Sequence, residues 1–248
     1  MKAKRILALL LAAVLVVSLL PVMALADGEP AQVDGVYQIG TAAELRWFSE
    51  NNETTKTADA VLTADIDLGG EAFTPIGAGA AIADAYAGTF DGQGHSITGL
   101  NVSGAINQGL IGTLNGGAVK NLKVSGTVSG TTNVGGIVGR LHAGTIENCS
   151  MAGSVSATNS KNAYAGGIVG IFNLAGPAVT GCSNSASVSG THAGGIVGHS
   201  TKKGTIAYCY NTGDITGTTR SGGIVNQCFT AHSPTGQHIR ANSTAIVR

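Results

Sequence analysis

The chain has 248 residues, 38 of them Gly, with 11% charged, 4% aromatic and no net formal charge. An apolar share of 43% excludes a disordered chain, which needs high charge and low hydrophobicity. Collagen is excluded by only 5 Pro and no every-third Gly, and a nucleic-acid binder by the lack of a basic excess to neutralise phosphates.

The first 26 residues read as a secretory signal. Lys2, Lys4 and Arg5 form a basic start, Ile6 to Leu20 is an almost unbroken apolar run, and Pro21 ends it. Ala24 and Ala26 supply the small residues that a signal peptidase reads. The apolar run falls short of the roughly 20 residues that a membrane span needs. No second apolar stretch follows, so no span is expected in the mature chain. The signal holds three of the 14 basic residues and no acidic one. From Asp27 onward 11 basic residues therefore face 14 acidic ones, a net charge of −3. That mild, dispersed charge favours solubility and points to no partner.

Residues 27–90 read as a lead-in. Thr41-Ala42-Ala43-Glu44 is a capping box ahead of Leu45, Trp47 and Phe48, which predicts a short helix near 42–51. Val61 to Leu68 alternates and reads as a first long strand, with Leu62, Ala64, Ile66 and Leu68 on one face.

Residues 91–226 are a repeat. Gly135-Gly136-Ile137-Val138-Gly139 recurs at Gly166 to Gly170, at Gly194 to Gly198 and at Gly222 to Val225, with Gly109-Leu110-Ile111-Gly112 as an earlier variant. The steps are 27, 31, 28 and 28 residues. From Ile146, further fixed positions follow at offsets of three, seven and nine: Cys149, Gly153 and Val155. The other units repeat these offsets at Val119, Leu122, Gly126 and Val128, at Val179, Cys182, Ala186 and Val188, and at Ile206, Cys209, Gly213 and Ile215. Three short apolar segments per turn, rich in Val, Ile and Thr, predict an all-β fold. It is a right-handed parallel β-helix of about five coils over 90–226, with the N-terminal helix as a cap. Ile137, Ile168, Ile196 and Ile224 should form one internal ladder, and Ile146, Val179 and Ile206 another. The Gly pairs are expected to permit positive φ and close approach of coils. Residues 227–248 lose the repeat and read as an irregular tail, either native or the end of a shortened array. An uncapped last coil would leave a pairing edge and a route to edge-to-edge self-association.

Several ordered motifs resemble those of bacterial Glug-motif proteins. They are Tyr37-Gln38-Ile39, Thr41 to Leu45, Ala64-Asp65-Ile66-Asp67-Leu68, Pro75-Ile76-Gly77, Gly88 to Ile97 and the Gly-Gly-Ile-Val-Gly units themselves. The resemblance covers about residues 36–226. It implies a secreted or surface-exposed β-helix, of a kind found in adhesin-like proteins and in large immunoglobulin-cleaving metallopeptidases.

The residues themselves offer little chemistry. His95, His142, His192, His199, His232 and His238 include none followed by Glu, so the zinc-peptidase motif His-Glu-x-x-His is missing. Cys149, Cys182 and Cys209 share one repeat position with Leu122, which favours a buried thiol ladder over disulfides or metal; Cys228 falls outside the register. Asp65 and Asp67 would lie on one strand face about 6.6 Å apart. With Asp91 they suggest a Ca²⁺ site or a glycosidase pair, against the simpler reading of a soluble face and an Asp91-Gly92 turn. Tyr208 and Tyr210 flank Cys209 and should be exposed, a weak carbohydrate-binding signal. The repeat's charges, including Lys120, Lys123, Arg140, Glu147, Lys161, Lys202, Lys203, Asp214 and Arg220, are scattered. The expectation is therefore a non-catalytic, adhesin-like module without catalytic residues, cofactor or metal. Its partner would be a host or cell-surface protein or a glycan. The alternatives are a carbohydrate-active β-helix enzyme, or part of a larger surface protein or peptidase.

Overall fold

The structure, a computed structural model, describes residues 28–173 and 176–226. The proposed signal, Cys228 and the tail at 227–248 lie outside the described residues. The chain is a parallel β-helix of about 7 turns.

The first strand, Ala31–Val33, folds back antiparallel on Val36–Ile39. Every later strand pairing is parallel. One column shows the winding: Tyr37 pairs with Ala60, Ala60 with Phe90, Phe90 with Val119, Val119 with Ile146, Ile146 with Val179 and Val179 with Ile206. All but Ile206 are buried. The five rungs expected from Phe90 onward are present, and Tyr37 and Ala60 place two more before them.

The Ile ladder is equally regular. The amide of Ile137 donates to the carbonyl of Ile168, that of Ile168 to Ile196 and that of Ile196 to Ile224. All four side chains are buried. One coil alone cannot hide this apolar side; stacking makes the core continuous.

A middle coil consists of strands Val138–Glu147, Ser150–Ala157 and Tyr164–Gly166. The segments around Ile137 and Ile146 join into one bent strand, whose register shifts between Leu141 and Thr145. Tyr164–Gly166 is the closing strand, just ahead of the next glycine motif.

The helix spans Ala42–Glu50, as its capping box requires: Thr41 Oγ1 accepts from the Glu44 amide at 3.2 Å and Glu44 returns its carboxylate to the Thr41 amide at 2.9 Å. Leu45 and Phe48 are buried. Phe48 packs edge-on against Tyr37, Tyr86 and Phe90, with ring centroids 5.4, 6.1 and 6.3 Å away. Arg46 donates to the carbonyls of Leu68 and Ala72, and Ser49 to that of Thr74. The helix is thereby fastened over the interior of the first coils.

Two sequence expectations are corrected. Val61 to Leu68 is not one strand. Ala60–Leu62 belongs to one sheet and Ile66–Asp67 to the other, with a corner between them that alternation alone does not reveal. The Gly pairs do not supply positive φ; none of Gly135, Gly136, Gly166, Gly167, Gly194 or Gly195 adopts it. Their role is close approach. A Cβ on Gly136 would meet the Gly167 carbonyl oxygen at 2.4 Å, and one on Gly167 that of Gly195 at 2.2 Å. Left-handed residues recur elsewhere, among them Asn121, Asn148, Gly181 and Tyr208, each one position before the Leu/Cys column.

Candidate functional site

The three aspartates have separate hydrogen-bond partners. Asp65 sits at the corner before Ile66 and accepts from the Ser96 amide at 2.7 Å, with His95 Nδ1 at 3.4 Å. The Ser96 amide, with help from the Ser96 side chain and His95, holds its carboxyl below the usual range. Asp67 accepts from the Gly69 amide at 2.9 Å. Asp91 accepts from the Gln93 amide at 2.9 Å and the Asn121 carboxamide at 3.1 Å, with Lys120 Nζ at 3.5 Å. Partial burial pushes the Asp91 carboxyl up, but these donors outweigh it and hold it below its ordinary value. Asp67 and Asp91 are engaged by amides of their own turns and Asp65 by an amide of the next coil, and Asp65 precedes the strand Ile66–Asp67 that holds Asp67. Among the described residues no three His, Cys, Asp or Glu side chains cluster as metal ligands.

The interior columns carry the next candidates. Cys149 and Cys182 are buried and Cys209 is half-buried, all three as free thiols, stacked below Leu122. The hydrogen bond with Cys149 comes first among the causes that push the Cys182 thiol up to about 12; burial adds to it. Two residues further along, the column Ile66, Ile97, Val124, Met151 changes to Asn184 and Asn211. Asn184 is 1% exposed, so its carboxamide needs partners. It donates to Asn211 Oδ1 at 2.7 Å and to the Ala186 carbonyl at 2.9 Å, and accepts from the Ala186 amide at 3.1 Å. Asn211 repeats the pattern with Gly213. These asparagines are structural.

One outward column is small and uncharged, while another holds Asp91, Lys120 and Glu147. Ser103, Ser129, Ser156, Ser189 and Thr216 form one column over five rungs. Tyr208 and Tyr210 are exposed as expected, at 71% and 58%. Lys202 and Lys203 are exposed in an irregular stretch. His142 is engaged: Asn173 donates to its Nδ1 at 3.0 Å and accepts from Arg140 Nε at 2.8 Å.

A further group is aromatic and basic. Tyr164, His192 and Arg220 occupy successive rungs of one column. His199 lies on the next strand, in the column of Arg140 and Ile171. The Tyr164 and His199 rings are stacked, with centroids 4.5 Å apart and an interplanar angle of 11°. His192 leans on Tyr164 with centroids 5.3 Å apart and stands 6.4 Å from His199. Burial lowers both imidazole pKa values, the Arg220 charge lowers them further, and His192 adds to the effect on His199. The Nδ1 atoms of both histidines are buried with no hydrogen-bond partner among the described residues. A buried polar atom left unpaired costs about 1–3 kcal/mol.

A pocket of about 400 Å³ is lined by Ala157, Thr158, Asn159, Ser160, Ser189, Gly190, Thr191, Thr216 and Thr218, with none of Tyr164, His192, His199 and Arg220 in its wall. Its wall includes the insertion that lengthens this one repeat to 31 residues. Sequence reasoning named these residues singly but did not join them. The signal was present: Tyr164, His192 and Arg220 each stand two places before a Gly pair, and His199 directly follows Gly198.

Comparison with known proteins agrees with the fold and the repeat. The GLUG motif matches at residues 130–156 and 189–216. Halomucin of Haloquadratum walsbyi is 34% identical over 116 residues, which is 41% of this chain and 1% of halomucin. The chain thus spans a very small part of that relative. A crystal structure of a "putative immunoglobulin A1 protease" from Bacteroides ovatus superposes with a TM-score of 0.59 at 21% identity, covering 81% of this chain and 72% of that one. At that identity the likeness shows the fold alone. Among the described residues no helix is long and apolar enough to cross a membrane.

Proposed function

We propose that this protein is a secreted or cell-surface β-helix module that binds a partner without transforming it, an adhesin-like scaffold. One observation carries the reading: Asp65, Asp67 and Asp91 are each engaged by a different backbone amide, that of Ser96 on the next coil, that of Gly69 and that of Gln93, and among the described residues no three His, Cys, Asp or Glu side chains cluster. Lyases and hydrolases on this fold need clustered acids with a basic partner. The GLUG repeats and the likeness to halomucin support a surface role. The apolar leader from Met1 to Ala26 supports export. The likeness to the Bacteroides ovatus protein brings no activity, and the sequence holds no His-Glu-x-x-His.

The test is a binding screen of the mature chain, from Asp27, against glycans and extracellular host proteins, with product analysis of every hit. Saturable binding without new reducing ends, unsaturated uronates or cleaved peptides is expected. Turnover of any bound polymer, or failure to bind anything, would overturn the proposal.

A further inference from the structure

One coil carries a piece of chain that the winding does not need. Gly130 pairs with Ala157 and Val134 with Ala165, so a stretch that takes four steps in one coil takes eight in the next. The extra residues form a loop that is tied down on several sides. The Asn159 amide donates to the Thr131 carbonyl at 2.9 Å, and the Asn159 carbonyl accepts from Thr191 Oγ1 at 2.6 Å. Asn159 Oδ1 accepts from the Lys161 and Asn162 amides at 2.9 and 3.0 Å. Thr191 is 7% exposed, so one anchor is held from the buried side. The loop is therefore a fixed wall. Together with strands Ser187–Gly194 and Ile215–Gly222 it encloses the pocket of about 400 Å³. Insertions in repeat proteins commonly fall on the binding face.

We infer that this pocket binds a neutral saccharide, and that the hydroxyl column leading out of it receives the further sugars of a linear chain. The inference rests on the reading of the protein as a binding module and names what one face of it takes. The pocket has the size of a small-ligand site. Its wall holds no charged side chain, which leaves an ionic ligand without a counter-charge. Apart from Ala157 and Gly190, every lining side chain is a hydroxyl or a carboxamide, which disfavours an apolar ligand. Strands Ser150–Ala157, Ser187–Gly194 and Ile215–Gly222 pair with one another, so no strand edge opens between them for a peptide. A sugar matches what remains. Ser and Thr hydroxyls both donate and accept, as sugar hydroxyls do, and the Thr methyl groups can pack on its C–H faces. Asn159 Nδ2 and the hydroxyls of Ser160, Thr216 and Thr218 have no hydrogen-bond partner among the described residues, so they are available to a ligand. Thr216 and Ser189 line the pocket and continue beyond it as Ser156, Ser129 and Ser103. Ser189 Oγ donates to Ser156 Oγ at 3.1 Å, so the column leaves the pocket without a gap. Adjacent rungs lie about 4.8 Å apart, close to the length of one pyranose in an extended chain.

The test is calorimetric titration of the mature chain with glucose, xylose and mannose oligomers in β-1,4 linkage, from the monosaccharide to the hexamer. Tetragalacturonate and the deacetylated chitosan tetramer are the charged controls. At least one neutral series should bind, with affinity that rises to about five units, one per rung of the column, and then levels. Thr216→Val/Thr218→Val removes two exposed hydroxyls and keeps side-chain shape and strand preference, so the fold and its melting temperature should stay as in the wild type. It should weaken binding about tenfold, through the loss of two neutral hydrogen bonds. Deleting residues 159–162 restores the four-step spacing of the coil before and removes the wall; it should abolish binding. Equal or tighter binding of the charged tetramers, affinity that does not rise beyond the monosaccharide, unchanged affinity in the folded Val variant, or no binding by any neutral series would overturn the inference. Capture of some other partner in the broad screen would then leave the module reading standing. Silence in both experiments would remove both.

Discussion

Asn184 donates from Nδ2 to Oδ1 of Asn211 one rung below, at 2.7 Å, inside a column that is apolar in every coil above. The pair turns the chain corner from within. Each carboxamide also clasps the backbone two residues ahead, at Ala186 and Gly213. Asn184→Ala should leave the Ala186 amide and carbonyl without their side-chain partner and Asn211 Oδ1 with the Gly213 amide alone, and cost about 2–4 kcal/mol. The double variant Asn184→Ala/Asn211→Ala should cost less than the sum of the singles, because the shared bond is lost only once. Urea unfolding of the four proteins measures this; strict additivity would show the ladder to be two separate corners.

The glycines separate two kinds of constraint. Gly167 has ordinary φ, yet a Cβ there meets the Gly195 carbonyl oxygen at 2.2 Å, between two backbones that cannot move apart. Gly94 has φ +87° but open space around it. Gly167→Ala should cost about 3 kcal/mol or more by overpacking, and Gly94→Ala only about 1–2 kcal/mol by strain in the left-handed region. Thermal melts of the two variants give the order; the reverse order would place the strain in φ rather than in coil spacing.

These glycines also mark what the sequence makes legible. The ladders of Ile137 and Ile146 could be read because a fixed register repeats each position, and Thr41 to Glu44 announced the helix by local hydrogen bonding alone. The break at Thr63 to Asp65 was invisible, since a corner between sheets does not disturb the alternation of Leu62, Ile66 and Leu68. Asn184 and Asn211 look like surface polar residues until the column of Val124 and Met151 shows the slot to be interior. Tyr164 and His199 could not be joined from one repeat position, because they belong to two columns that meet only in three dimensions.

The thiol column should behave as packing. With the Cys182 thiol pushed up to about 12, thiolate is scarce at neutral pH, and both Cys149 and Cys182 are buried. Native protein should resist alkylation at these two, and denaturant without reductant should expose both. Cys182→Leu should cost less than about 1.5 kcal/mol, since Leu122 fills the same slot above, whereas Cys182→Asp would bury an unpaired carboxylate and cost several kcal/mol. Recovery of a Cys149–Cys182 or Cys182–Cys209 disulfide peptide would refute packing.

Acid should act in two separate windows. His192 and His199 have pKa values lowered from 6.5, so the unfolded chain takes up protons first as pH falls. The stability they contribute is present above about pH 6.5 and is lost as pH falls through their folded values. Asp65 and Asp91 are lowered from 3.8, so their contribution is present above about pH 3.8 and is lost only below it. Melting temperature between about pH 7.5 and about pH 5 should decline in the wild type and much less in His192→Gln/His199→Gln. Equal decline in both would assign the upper window to other groups.

The lower coils should open first. Strand Ile215–Gly222 pairs with Ser187–Gly194 on one side and, among the described residues, with no strand on the other. Its side chains are mostly exposed, unlike those of Val138–Glu147, which has neighbours on both sides. A solenoid's stability is close to a sum over adjacent coils, so a coil with one neighbour has the lower opening free energy. Hydrogen exchange should therefore be slow for amides around 135–200 and fast after about 220. Amides there that exchange as slowly as the middle coils in the free protein would mean that the edge is already covered.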